Sequence, residues 1–320
     1  MSSDDTHDRP DTDRPPRSRR LTAWLQLLRV PNLLTVPGDP IAGLVLASLA
    51  LGSPISRPVL RAALAAAVSL LLYAAGLLWN DWFDLADDRR DRPTRPLPAG
   101  LVRPASVAVA ANMLIALAVA VAAVAGATTL YVAIALGAAV LAYNGLTKRL
   151  RILGPVNMGL CRGLSLLIGA AAFGPAALRA PGVLAAAGGL AAYIAAVTWL
   201  ASAETRRVPI RSKAMLVITA AGAWMLAVIA TVQSPVQYGR SLVTGFCVVA
   251  TLWLTASLSR LGRRPPPEVV QRTVGELIRG VVVMQAAQVA AAGWPGLCIA
   301  AGLAVCFGLN GLLGRRFYAS

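Results

Sequence analysis

Asn80, Asp84 and Asp88 stand four residues apart in the stretch Asn80-Asp81-Trp82-Phe83-Asp84-Leu85-Ala86-Asp87-Asp88. On a helix this spacing lines one face, drifting slowly around it. Like charges so placed repel one another. A hard divalent cation removes the repulsion, and Mg²⁺ favours carboxylate oxygens shared with substrate phosphates. Five of the chain's 14 acidic residues fall between Asp81 and Asp91, so the charge is concentrated here. The blander reading is a solvated loop helix whose carboxylates pair with Arg89, Arg90 and Arg92.

Further candidates follow along the chain. Arg92, Arg95 and Arg103 sit among Pro93, Pro96 and Pro98. Proline stiffens such a loop, and guanidinium groups grip phosphate in a bidentate way. The stretch from Tyr143 to Arg151 puts Lys148 and Arg149 at the end of an apolar run, where they bind a diphosphate or merely mark topology. Asn157, Arg162 and Asp39 lie inside apolar runs. Polar groups there are costly and are site candidates by default; the alternative for Asp39 is an ion pair with an Arg on a neighbouring helix. Glu204 is the only acid between Asp91 and Glu268, and Arg206 and Arg207 follow it. The single histidine, His7, lies near the polar start of the chain, which argues against His-based chemistry.

The elements that must hold these groups are apolar. Of the 320 residues, 57% are hydrophobic, and the mean hydropathy is +0.65, too apolar for a soluble domain. Residues 1–20, rich in Asp, Pro and Arg, read as a disordered tail. Residues 21–32 read as an interfacial helix. Apolar segments follow near 33–52, 59–79, 104–126, 128–146, 156–178, 181–203, 212–232, 240–259, 273–292 and 295–313. Each is long enough to cross a bilayer. The expectation is one all-α domain over residues 21–320, a polytopic transmembrane bundle of nine or ten spans. The Gly159/Gly163 pair allows close helix approach.

The net charge of +16 does not point to nucleic acid, because the basic residues fall in short loops between apolar segments. With the N-terminus in the cytoplasm, 25 of the 30 basic residues face that side, which is the positive-inside pattern of a multi-pass inner-membrane protein. The four polar loops at 80–103, 147–155, 204–213 and 260–272 then share one face with the carboxylates. The four cysteines all lie in apolar runs without metal-ligand spacing.

The pattern resembles the UbiA superfamily of intramembrane prenyltransferases. Its first Asp-rich motif, N-x-x-x-D-x-x-x-D, reads here as Asn80, Asp84 and Asp88, followed by Arg92-Pro93 and Arg95 to Gly100. Tyr143 to Arg149 looks like the family's Y-x-x-x-x-K-R segment. Leu28 to Leu33 and Gly154 to Gly163 look most like the EboC-like branch. The resemblance implies helices around a central cavity open to lipid. It implies Asn80, Asp84 and Asp88 as holders of Mg²⁺ on a prenyl diphosphate, with Lys148, Arg149 and Arg95 neutralising the diphosphate. Asp84, Asp88, Lys148 and Glu204 stand as the catalytic expectation. Asn80, Asp81, Arg92, Arg95, Tyr143, Arg149, Asn157, Arg162, Arg206 and Asp39 stand as substrate-binding. Expected partners are a prenyl diphosphate, an acceptor of unspecified identity and membrane lipids. One departure matters: where the family carries a second D-x-x-x-D motif, Ser202 to Arg206 keep only Glu204.

Two other readings compete. CDP-alcohol phosphatidyltransferases also use membrane Asp clusters; Asp81 and Asp84 share their first spacing, but Leu85 replaces the required Gly and no Ala-Arg follows. A UbiA-like carrier that binds an isoprenoid without turning it over is the non-enzymatic alternative.

Overall fold

The computed structural model describes residues 17–202, 211–232, 237–262 and 265–317. Among these residues the regular structure is helical. The helices are α1 (Arg17–Leu27), α2 (Val30–Leu33), α3 (Gly38–Leu51), α4 (Pro58–Phe83), α5 (Leu85–Asp91), α6 (Pro104–Ala125), α7 (Ala127–Ala142), α8 (Leu153–Ala170), α9 (Pro181–Ala201), α10 (Arg211–Thr231), α11 (Gly239–Leu258), α12 (Pro267–Ala290) and α13 (Trp294–Phe317).

Seven of the described helices have the length and apolarity to cross a membrane. They match the apolar segments expected from 59 to 259. Prolines mark several starts: Pro58, Pro104 and Pro181 occupy first-turn positions, where the missing N–H is no loss.

The first expected span, 33–52, is shortened. α3 has 14 residues, roughly 21 Å of helix against the ~30 Å hydrocarbon core. The chain ahead of it turns instead. Arg29 takes a positive φ of 44°, and the Thr35 hydroxyl donates to the Asn32 carbonyl at 2.9 Å. Pro37 and Pro40 are tolerated only around the first helical turn, so they set where α3 can begin.

Small residues let the helices approach. A Cβ on Gly159 or Gly163 would run into the Ala191 or Ala187 carbonyl of α9, so the expected small-residue pair does bring α8 and α9 together. Gly43 packs on the Leu166 carbonyl, and Gly169 on the Pro40 carbonyl, which locks α3 against α8. α9, α10, α11 and α12 share the largest apolar core, with Tyr193, Leu200, Trp224 and Leu277 almost fully buried. On the other side, α1 lays Ala23 and Leu27 against Leu78 of α4 and Val107 and Ala111 of α6. That docking carries the chain from α1 toward the end of α4, where the acidic residues lie.

Candidate active site

The acidic stretch begins inside α4 and ends with α5. Asp84 joins the two helices at φ −87°, ψ −2°. The backbone keeps helical pitch through the joint: the Asp84 amide donates to the Asn80 carbonyl at 3.0 Å, and the Asp88 amide to the Asp84 carbonyl at 2.8 Å. Asn80, Asp84 and Asp88 therefore follow one another along one side, as their spacing requires.

Each of the five carboxylates has a cation against it, and most of the cations come from elsewhere in the chain. Lys148 Nζ lies 2.6 Å from Asp84 Oδ1. Arg95 Nη1 contacts both oxygens of Asp88, at 2.9 and 3.2 Å. Arg29 Nη2 is 3.1 Å from Asp81 Oδ1. Arg149 Nη2 reaches Asp87 at 2.9 Å, and Arg90 Nε meets Asp91 at 2.9 Å. The last two pairs are exposed and contribute little. The hydrogen bond from Arg90 also holds the exposed Asp91 carboxyl below its usual range. By contrast, the side chains of Asp81 and Asp88 are only 10% exposed, and that of Lys148 12%. Their partners Arg29 and Asp84 are 39% and 26% exposed, so these inner pairs are partly shielded, and their charges act more strongly on whatever binds beside them than the exposed pairs do.

The local sequence explains how the cations arrive. After α5 a series of turns folds the Pro-rich loop back: the Arg95 amide donates to the Arg92 carbonyl, and Ala99 to Arg95. Leu97 and Val102 bury themselves against α1, α4 and α6, anchoring the loop so that Arg95 lies against Asp88. Lys148 and Arg149 follow a π-helical turn, Tyr143–Thr147, at the end of α7. Tyr143 is half-buried in this turn. Asn157, on α8, donates to the Thr147 hydroxyl at 3.0 Å. Trp79, Trp82 and Phe83 pack with ring centroids 5.2–5.6 Å apart at the end of α4.

The remaining sequence candidates lie beside these pairs or away from them. Arg92 is exposed, and its backbone amide caps Asp88. Asn80 Nδ2 sits 3.5 Å from Asp81 Oδ1, at the limit of a hydrogen bond. Asp39 and Arg162 partner each other. Arg162 Nη2 donates to Asp39 Oδ1 at 3.2 Å. Arg162 Nε lies 3.0 Å from Asp39 Oδ2, an ion pair whose alignment falls short of a hydrogen bond. Gln285 of α12 adds an amide donor to Asp39 Oδ1 at 2.6 Å and to the Thr35 carbonyl at 2.9 Å. With Asp39 0% and Gln285 1% exposed, this group fastens α3, α8 and α12 together inside the bundle. Glu204 and Arg206 lie outside the described residues.

Sequence reasoning missed Arg29, Gln285 and Asn144. Arg29 stands alone just ahead of the first apolar run, and its 52-residue separation from Asp81 hides the pairing. Gln285 in α12 and Asn144 just past α7 are buried polar side chains, and a polar residue within an apolar run is itself the signal that marks Asn157 and Arg162.

The donor set can be tested for Mg²⁺. Among the described residues no three Asp, Glu, His or Cys side chains converge as a metal cage. Mg²⁺ does not need one: it commonly takes one or two carboxylates and completes its shell with waters and substrate phosphates. Asp84 and Asp88, on one side of the helix and next to Lys148 and Arg95, fit that mode. The same cations suit phosphate oxygens.

The model of the UbiA prenyltransferase family matches residues 41–274, which include both the acidic stretch and the Lys148 segment. The chain belongs to the UbiA prenyltransferase family. Its fold agrees with UbiA proteins of known structure. A UbiA homolog from Archaeoglobus fulgidus, solved with GPP and Mg²⁺, has a TM-score of 0.58 at 13% identity, over 83% of this chain and 99% of that one. A digeranylgeranylglyceryl phosphate synthase structure gives 0.55 at 19% identity, over 84% and 97%. Among curated relatives, the digeranylgeranylglyceryl phosphate synthase of Methanosarcina mazei is 29% identical over 185 residues, 54% of this chain and 63% of the relative. That of Ignicoccus hospitalis is 35% identical over 85 residues, 27% and 25% of the two chains. The match thus spans less than two-thirds of these relatives' own length. Family membership and the apolar helices together make this UbiA protein an integral membrane protein.

Proposed function

We propose that this chain is a membrane prenyltransferase that moves an isoprenyl group from a prenyl diphosphate to a small or lipophilic acceptor, with Mg²⁺. The observation that carries this reading is the set of partly shielded ion pairs Asp84–Lys148, Asp88–Arg95 and Asp81–Arg29 gathered at the end of α4. A metal–diphosphate complex carries both signs of charge. It can draw the carboxylates from their cations on one side and the cations from their carboxylates on the other, without stranding either charge.

In this reading Asp84 and Asp88, with Asn80 alongside, hold the Mg²⁺. When bound, the metal would neutralise charge on the diphosphate leaving group. Lys148 and Arg95 grip the diphosphate oxygens and stabilise the charge that grows as the allylic carbon–oxygen bond breaks. Arg149 and Arg29 add to the positive field around the site. Tyr143 and Asn157 border the Lys148 segment. The surrounding apolar helices limit the water that would otherwise quench an allylic cation. The orientation follows from the basic residues: the N-terminus and the site loops face the cytoplasm. Within the superfamily we assign the chain to the EboC-like branch, on Leu28 to Leu33 and Gly154 to Gly163.

The deciding assay is pyrophosphate release from membranes given prenyl diphosphates of several lengths with a metabolite extract. Release that depends on Mg²⁺ and is lost in Asp84→Ala supports transfer. Tight retention of the prenyl diphosphate with no release, across all acceptors, would instead identify a carrier, as the reduced second Asp motif at Ser202 to Arg206 would suit.

A further inference from the structure

Lys148, the partner of Asp84, stands directly after an unusual turn. Residues Tyr143–Thr147 form a π-helical turn, and the Lys148 amide donates to the Tyr143 carbonyl, five residues back, at 3.0 Å. The wider turn accommodates an extra residue between α7 and Lys148. An α-helix rotates about 100° per residue, so relaxing the turn to α geometry would swing Lys148 by about that angle.

Two side-chain amides hold the turn from opposite sides. Asn144 Nδ2 donates to the Val140 carbonyl at 3.0 Å, one helical turn back on α7. It also donates to the Gly76 carbonyl at 3.2 Å, on α4 one turn ahead of Asn80. Asn157 of α8 holds Thr147, the residue next to Lys148. Behind them the chain returns tightly, since a Cβ on Gly154 would come 3.0 Å from the Thr147 and Lys148 carbonyls.

Asn144 is 4% exposed, and its Oδ1 has no hydrogen-bond partner among the described residues. A half-matched amide in apolar surroundings is costly. Two carbonyl acceptors fix its orientation, because a flipped amide would set oxygen against oxygen. An apolar side chain would escape the cost but would leave the turn without its tie to α4.

We infer that Asn144 is a positioning residue: it holds the π-helical turn in register with α4 and so aims Lys148 at Asp84, with Asn157 securing the far end. The inference rests on the diphosphate role given to Lys148 above only for its effect on substrate. The register itself has an independent readout.

The chain has two lysines, Lys148 and Lys213. ¹⁵Nζ-lysine labelling of the full chain in nanodiscs therefore yields two ammonium signals, assigned with Lys213→Arg, and Asp84→Asn marks the position of an unpaired Lys148. Asn144→Ala is expected to move the Lys148 signal toward that position and leave Lys213 in place. It should weaken binding of geranylgeranyl diphosphate by about 100-fold, the scale of a misplaced binding group. Asn144→Ser keeps a donor for the Val140 carbonyl but gives up the tie to Gly76 of α4, so it should still displace the Lys148 signal. In a Lys148→Ala background the Asn144 substitution should add at most about twofold, because the two act as one unit. An unmoved Lys148 signal in Asn144→Ala overturns the inference, and so does an equal loss of binding in both backgrounds. If the signal moves but Lys148→Ala leaves binding intact, the positioning stands and the diphosphate reading falls. Should Asn144→Ala also displace the Lys213 signal, the fold is disturbed and Asn144→Ser decides.

Discussion

Lys148 and Asp84, 64 residues apart in the chain, meet at 2.6 Å where α7 ends and α4 gives way to α5. The pair unites the two segments that the sequence marks as reactive, and it tells which change should do what. Asp84→Ala removes a proposed metal ligand and leaves Lys148 uncompensated. Mg²⁺-dependent binding of a prenyl diphosphate should disappear, and chelation of the metal should abolish binding in the unmodified protein. Calorimetric titration with and without Mg²⁺ checks both; binding that survives Asp84→Ala would move the metal elsewhere.

Lys148→Ala should act on the reaction more than on the metal. Removing one pre-aimed donor to developing negative charge typically lowers turnover by about 10²–10³. Single-turnover pyrophosphate release should fall on that scale, and the Mg²⁺ concentration for half-maximal rate should stay nearly constant. Lys148→Arg should recover only part, since a planar guanidinium does not occupy the same point as an ammonium.

Arg95 and Arg149 offer a contrast between shielded and exposed pairs. The Arg95 side chain is 22% exposed and the Arg149 side chain 72%. Arg95→Ala should weaken diphosphate binding strongly in moderate salt. Arg149→Ala should matter only at low ionic strength, where exposed charges are unscreened. Binding curves at two salt concentrations separate the cases, and equal effects at both would refute the distinction.

The Asp39–Arg162–Gln285 group should govern stability. Asp39→Ala leaves Arg162 buried without its carboxylate, a change that costs roughly 3–5 kcal/mol in buried pairs. Thermal unfolding in detergent should shift down sharply. The double change Asp39→Asn with Arg162→Gln, which removes both charges and keeps hydrogen-bonding groups, should regain much of the loss.

Gly43 and Gly169 set the distance between α3 and α8. A methyl group at either would strike main-chain atoms of the other helix, which have no rotamer to give. Gly169→Ala should therefore destabilise by about 1–3 kcal/mol, the scale of overpacking. An unchanged melting temperature would show that the helices can part freely.

Much of the architecture was legible because the bilayer imposes a length on each apolar run. The expected segment 104–126 and the helix Pro104–Ala125 nearly coincide. The acidic face was legible for a related reason: a period of four residues on a helix is itself a spatial statement. Pairings across the chain were not. Nothing near Asp81 names Arg29 as its partner, and nothing near Asp39 names Gln285, since both contacts arise from packing. The π-helical turn was hidden too, because Tyr143 to Thr147 carries no composition that separates it from the end of an ordinary helix. α3 was overestimated because hydropathy counts Leu33 to Val36 as apolar, whereas Pro37 and Pro40 decide where helical hydrogen bonding can start.

The short α3 has a consequence for how the protein is made. Asp39 leaves the ribosome ahead of both of its side-chain partners: Arg162 follows 123 residues later and Gln285 246 residues later. Until then a helix of 14 residues must keep an unpartnered carboxyl group in its first turn, and polar groups so placed among apolar segments are costly. α3 therefore gains its settled place only as α8 and then α12 arrive, so one of the earlier helices to be synthesised is among the later ones to be secured.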